Sequence, residues 1–451
     1  MEEGRPAGYA VHGVIPRVRP LSLAPPLAEK ILTQKSPLSS VATSIISPSI
    51  FEIMDEFDVS RTVAILTISL YVLALGFGPV IGGPLSETIG RYPVYLASTA
   101  LGGLFTLGAG FTHSFAGLCL LRFLAGMSWG PLLAVGAGTV IETYPVQTRG
   151  PPMALFILTP FLGPGLGYVT TSHLRASGVA ANHSLSPVIG AFVTTRKGWR
   201  WNMWTLLFLT LASLIITLFA SETFGPELKR RLAKKRRQLP PTRSPASEQL
   251  HHFVVVALAR PLHMLFLEPI TAFVCLYVAC GFGILFSFFA VVPYVFTTVY
   301  DFTLEQCGLV FLSVVIGCLI GLICILLCDV LLYRPKIAKY APHSVPQEHR
   351  LYPAMFGSIG LPIGLFWMAW SARESVSWAS PAAAIIPFSC GNLCVFVGTV
   401  QYLADIYNAD VVASAASANS LARYTFAAAF PLFIVQSELK MTGYRIWESE
   451  S

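Results

Sequence analysis

Two arginines, Arg122 and Arg423, lie deep inside apolar runs long enough to cross a bilayer as helices. A guanidinium within a membrane span costs about 2.5–3.5 kcal/mol on insertion scales, so Arg122 must face a helix bundle or a water-filled cavity. Either it satisfies carbonyls of adjacent helices, or it supplies fixed positive charge to a working site. The segment Gly83-Pro84-Leu85-Ser86-Glu87-Thr88-Ile89-Gly90-Arg91 joins turn-permitting glycines to an acid and a base. Glu87 and Arg91 are able to pair with charges on neighbouring helix ends and act as a latch; the plainer alternative is a polar turn. In Gly163-Pro164-Gly165 the proline removes a helical hydrogen bond and the glycines admit a close neighbour. Gly126-Met127-Ser128-Trp129-Gly130 matches the G-x-S-x-G elbow, which requires a preceding strand and a strained turn. Here it sits in a long apolar block without histidine, so the match is chance.

The elements that must hold these groups are set by composition. Of 451 residues 54% are hydrophobic and only 12% charged, about half the charge of a soluble domain. Mean hydropathy is +0.65. Apolar blocks near 20 residues leave room for ten or eleven membrane spans, which excludes a soluble enzyme and a single-pass receptor. Most of the nine cysteines lie inside these blocks as small hydrophobes. Cys324/Cys328 and Cys390/Cys394 are one turn apart, yet no histidine or carboxylate joins them, so neither a metal site nor a cofactor is expected.

The net charge of +7 is concentrated between Ser221 and Pro261, in a run that includes Lys229, Arg230, Arg231, Lys234, Lys235, Arg236 and Arg237. Beside apolar spans such a run marks a cytoplasmic loop. It carries no interleaved aromatic platform for nucleic acid. The chain then divides into a cytoplasmic tail (1–36), a first bundle (37–220), a basic linker (221–262), a second bundle (263–436) and a polar tail (437–451). Two bundles joined by a long cytoplasmic loop suit a secondary transporter with its site at the bundle interface. Aromatic and polar residues of the spans are the candidates for lining that site: Tyr71, Trp129, Tyr277, Phe286, Phe289, Asn392, Gln401 and Tyr402. Asn182-His183-Ser184 is a glycosylation sequon placed outside by this topology.

The segment from Gly83 to Arg91 resembles the loop signature of the major facilitator superfamily: a glycine, an acid four residues on, then Gly-Arg. Leu121-Arg122-Phe123-Leu124-Ala125-Gly126 resembles that superfamily's fourth-helix motif, and Gly163-Pro164-Gly165-Leu166-Gly167 its fifth-helix antiporter motif. Gly198-Trp199-Arg200-Trp201-Asn202, Glu222-Thr223-Phe224-Gly225-Pro226 and Ala418-Asn419-Ser420-Leu421-Ala422-Arg423 look like the fungal drug:proton antiporter branch, over roughly residues 39–436. The resemblance implies an all-α, polytopic two-bundle fold. It also implies a monomer, in the plasma membrane, that exchanges protons for drugs, toxins or polyamine-like cations. It assigns Arg122 to proton coupling, Gly83, Glu87, Gly90 and Arg91 to a gating loop, and Gly163, Pro164, Gly165 and Gly167 to sealing the halves.

Three departures from that pattern are expected. The first block, Ser36–Phe51, has 16 residues, six of them serine, and would reach only about 24 Å as a helix. Residues 168–186 interrupt what reads as one helix in relatives, as an external insertion or a translated intron. The twelfth helix is absent, leaving about eleven spans. Two readings stay open: a proton-coupled exporter, or a truncated or mis-spliced relative that does not transport. The partner acid for Arg122 is not evident, because the membrane-centre blocks contain no Asp or Glu.

Overall fold

In a computed structural model the described residues are 38–143, 186–218, 259–340, 345–407 and 409–450, with isolated positions 154, 156–158, 222, 227, 230, 233 and 255. Among them there is no strand. Eight helices among the described residues are long and apolar enough to cross a membrane. The first apolar block is not one straight rod. Helical turns after residue 38 give way to a 3-10 turn at Ser47–Ser49, where Pro48 cannot donate, and then to α1 (Ile50–Phe57). Next come α2 (Arg61–Ile89), α3 (Arg91–Phe111), α4 (Phe115–Thr143), α5 (Ser186–Lys197) and α6 (Arg200–Leu218). After the linker follow α7 (Arg260–Leu267), α8 (Pro269–Tyr300), α9 (Leu304–Val310) and α10 (Leu312–Leu327), which runs through a π segment into α11 (Arg334–Tyr340). The chain continues with α12 (Tyr352–Ser371), α13 (Ala379–Ile406) and α14 (Ala409–Glu450). α14 stays helical past position 436, into the stretch whose composition turns polar.

The two halves repeat one local device. α1 ends on Asp58 in a left-handed conformation (φ 48°), and two residues later Ser60 caps α2 by accepting from the Val63 N–H. α8 ends on Asp301 (φ 52°), and two residues later Thr303 caps α9 in a reciprocal capping box with Gln306. Aspartate tolerates the left-handed region, and a hydroxyl at the N-cap satisfies an otherwise orphaned amide. Phe57-Asp58-Val59-Ser60 and Tyr300-Asp301-Phe302-Thr303 are thus equivalent corners at the end of the molecule far from the linker.

Within the first half α2 packs on α4, α4 on α3 and α3 on α6; within the second, α12 and α10 pack on α13 and α8 on α14. The α2–α4 contact is backbone to backbone. A Cβ added at Gly130 would stand 2.5 Å from the Gly78 Cα and 2.9 Å from the Leu75 carbonyl oxygen. The small-xxx-small spacing of Gly78/Gly82 and Gly126/Gly130 therefore sets an interhelical distance. The halves meet along α2–α14 and along α5–α9. At the far end the Ser47 hydroxyl donates to the Phe289 carbonyl (2.8 Å) and Arg61 to the Ala290 carbonyl (3.3 Å). Arg61 also covers the rings of Phe51 and Tyr294, at 5.5 and 4.8 Å. Away from these seams α3, α6, α8 and α12 expose Leu104, Phe208, Phe273 and Phe366. An outward apolar surface of this kind is solvated by lipid tails.

Candidate functional site

Arg122, on α4, is 2% exposed, and its guanidinium lies over the Tyr71 ring of α2 at 4.3 Å. Nε donates to the Thr67 carbonyl at 3.3 Å, while Nη2 has no hydrogen-bond partner. Tyr71 donates through its hydroxyl to the Ser39 carbonyl (2.8 Å) and meets Trp129 edge to face. The sequence candidates Tyr71, Trp129 and Arg122 therefore form one cluster, tying the first segment, α2 and α4 together. A ring face stabilises a desolvated guanidinium by about 2 kcal/mol. It adds no negative charge, so the site stays positive.

A second cluster sits across the seam, in the other half. Arg423 on α14 is 8% exposed, with its guanidinium 4.5 Å from the Phe282 ring of α8, 4.4 Å from Phe396 of α13 and 4.7 Å from Tyr424. Its Nε has no partner. Tyr424 presses its Cβ towards Gly76 of α2, where an added Cβ would stand 2.9 Å away. Asn392 of α13 is buried beside this cage, its amide reaching the Gly281 carbonyl at 3.5 Å. The two arginine–aromatic clusters thus flank the α2–α14 seam, one from each half.

The remaining sequence candidates are dispersed. Gln401 lines a shallow cleft at the linker end, with Ala154 from the first half and Ile325, Asp329, Tyr333, Arg350 and Tyr352 from the second. Tyr402 follows it on α13, half-buried. Phe286 and Phe289 are buried and stack edge to face on α8. Tyr277 is 41% exposed and joins neither cluster. Gly163, Pro164, Gly165, Gly167, the insertion 168–186 up to its last residue, and Asn182 lie outside the described residues, as does the side chain of Glu87.

At the linker end the loop residues Gly90 and Arg91 are organised by an acid that spacing alone does not single out. The Glu222 carboxylate, just past α6, accepts the Arg91 and Tyr92 backbone N–H groups at 2.9 and 3.2 Å. It caps α3, where an anion is favoured by the helix dipole. Gly90 holds φ 99°, a conformation side chains avoid, and a Cβ there would meet Glu222 Oε2 at 2.5 Å. Arg91, 5% exposed, donates to the Ser86 hydroxyl at 2.5 Å. Gly83 has open space around it and makes no close approach. Glu222→Ala is expected to lower stability by about 1–2 kcal/mol. Thermal unfolding in detergent reads this loss, and Glu222→Gln, which keeps an acceptor, should recover part of it.

At the far end the Gly-Trp-Arg-Trp-Asn motif is a clamp. Trp199 N–H donates to Glu52 (2.7 Å), its indole to Glu56 (2.6 Å), and Arg200 holds Glu56 with two bonds of 2.7 and 2.5 Å. The Asn202 amide donates to Ser49, Thr194 and the Ile45 carbonyl, locking the broken first segment to α5 and α6. Arg200 holds the Glu56 carboxyl below its ordinary value. The folded chain therefore binds that proton less tightly than the unfolded chain. The clamp's contribution is complete above the ordinary glutamate value of about 4.3 and is lost as pH falls through the lowered one. Burial pushes neighbouring Glu52 the other way, so its term favours the folded chain in acid and fades as pH rises. Arg200→Ala should flatten the acid limb of a melting-temperature profile below about pH 4.3, with little change in shape near neutrality.

Two groups of helices meeting along a buried seam, with an outward apolar surface, define a polytopic membrane protein. Residues 38–431 match the family described as Major Facilitator Superfamily, and the chain belongs to that superfamily. It is 34% identical over 431 residues to Polyamine transporter 4 of Saccharomyces cerevisiae, covering 89% of this chain and 62% of that protein. It is also 34% identical to Efflux pump FUB11 of Gibberella moniliformis over 88% of this chain and 65% of that protein. The chain thus spans less than two thirds of the length of either relative. The solved proton:xylose symporter XylE has the same fold, with a TM-score of 0.61 at 18% identity, covering 92% of this chain and 89% of that one.

Proposed function

We propose that the chain moves small amphipathic organic molecules out of the cytoplasm in exchange for protons, by rocking its two halves about the α2–α14 seam. The observation that carries this reading is the pair of buried guanidiniums, Arg122 and Arg423, that flank the α2–α14 seam from opposite halves. At the far end the halves are joined through Ser47–Phe289 and Arg61–Ala290, and at the linker end a shallow cleft is lined by Ala154 of the first half and residues of the second. Arg122 fits the coupling role because its charge is fixed, buried and incompletely bonded, so it can tune the proton affinity of water or substrate beside it. The relatives described as a polyamine transporter and an efflux pump support a small-molecule cargo. Glu222 and Arg91 then brace the linker end as the halves move.

Purified protein in liposomes carrying an imposed pH gradient tests the proposal. Solute accumulation that collapses when a protonophore dissipates the gradient is the expected outcome. Transport indifferent to the protonophore would remove the coupling while leaving the carrier.

A further inference from the structure

We propose that the seam takes an amphipathic organic anion, a carboxylate or sulfonate on an aromatic body, and that Arg423 holds its charge. This rests on the transport reading of the same seam and narrows it against polyamine-like cations. The apolar blocks at 38–51, 61–86, 91–141, 186–218, 269–300, 306–328, 352–371, 379–404 and 411–437 contain neither Asp nor Glu. Their centre nevertheless holds two guanidiniums, each more than nine-tenths buried. Buried charges are ordinarily paired, and each of these retains an N–H donor without an acceptor, Nη2 on Arg122 and Nε on Arg423.

The cage around Arg423 explains how the charge is kept without being cancelled. Phe282, Phe396 and Tyr424 offer ring faces from three helices, which fix the guanidinium and present apolar walls but contribute no net charge. A planar fork held this way is suited to a carboxylate or sulfonate, and the surrounding rings suit an aromatic body. A polyvalent cation would enter low-dielectric surroundings already positive on both sides of the seam. The acids nearest the cleft offer it no relief: Asp329 is paired with Arg334 at 3.0 Å and Asp405 with Arg350 at 2.7 Å.

The test uses the full chain with three probes: 1-naphthalenesulfonate, uncharged 1-naphthalenemethanol and spermidine. Binding is read by thermal stabilisation in detergent and transport in proteoliposomes. The sulfonate is expected to bind, with spermidine weaker by at least tenfold. Arg423→Gln should weaken the sulfonate at least tenfold and leave the alcohol unchanged, and Arg423→Lys should restore part of the difference. Equal loss of sulfonate and alcohol in both variants would overturn the assignment, because Arg423 would then only hold the fold. Spermidine bound or carried in preference to the sulfonate would overturn the anion inference and leave the transporter standing. Sulfonate bound but no probe carried would support the anion site and count against transport. Binding of none of the three would overturn the inference.

Discussion

Arg122→Ala is expected to lower proton-driven transport by about tenfold to a thousandfold while the protein still reaches the membrane. The range follows from the proposed role: a unit charge within a few ångströms shifts a neighbour's proton affinity by about one to three pKa units. Removal empties the space over the Tyr71 ring and frees the Thr67 carbonyl. Those are losses the cluster survives, since Tyr71 keeps its bond to Ser39 and its contact with Trp129. Arg122→Lys separates charge from shape. It restores a cation but cannot donate through Nε while lying flat on the ring, so transport should recover in part. The readout is initial rate against pH gradient, with solute exchange at equal pH as the control. A carrier that loses coupled transport but keeps exchange has lost its proton step, whereas loss of both marks a structural arginine.

Gly130→Val is expected to have the largest effect on folding. The added side chain would be driven into the Gly78 Cα and the Leu75 carbonyl of α2, and backbone cannot step aside as a flexible side chain can. Overpacking costs typically 1–3 kcal/mol and more against a rigid wall. Separating α2 from α4 would also pull Tyr71 from Arg122, since Gly126 on the same face of α4 packs against the Tyr71 carbonyl. Size-exclusion profiles after heating should show a loss of monodisperse protein at temperatures the parent survives. Gly83→Val, facing open space in the same motif-rich region of α2, is the matched control and should leave the profile unchanged.

These two positions differ in how readily sequence exposes them. Arg122 is conspicuous because one guanidinium stands in an apolar run, and its burial follows from that cost alone. The glycine spacing on α2 and α4 similarly announces close helices. Arg423 is equally conspicuous as a charge, but its cage is assembled from Phe282, Phe396 and Tyr424 on three helices, and chain spacing does not encode that convergence. Glu222 is separated from Arg91 by 131 positions, and only the folded return of α6 to the start of α3 brings its carboxylate under those amides. The repeat Asp58-x-Ser60 and Asp301-x-Thr303 is legible once two corners of equal geometry are superposed, though too short to stand out in a chain of this length. Tyr277 illustrates the converse. An aromatic in a span satisfies the composition rule for a cavity wall, yet the rotation of α8 leaves it on an exposed face.

The central claim is that the two ends open in alternation. Spin labels at Asp55 and Thr298 report the far end, and labels at Ile89 and Glu348 the linker end, on a background with the nine cysteines replaced. Distance distributions recorded across a pH step, with and without a transported solute, test it most directly. The account predicts reciprocal change, with the far pair separating as the linker pair closes. Two distances that stay fixed, or that widen and narrow together, would contradict it.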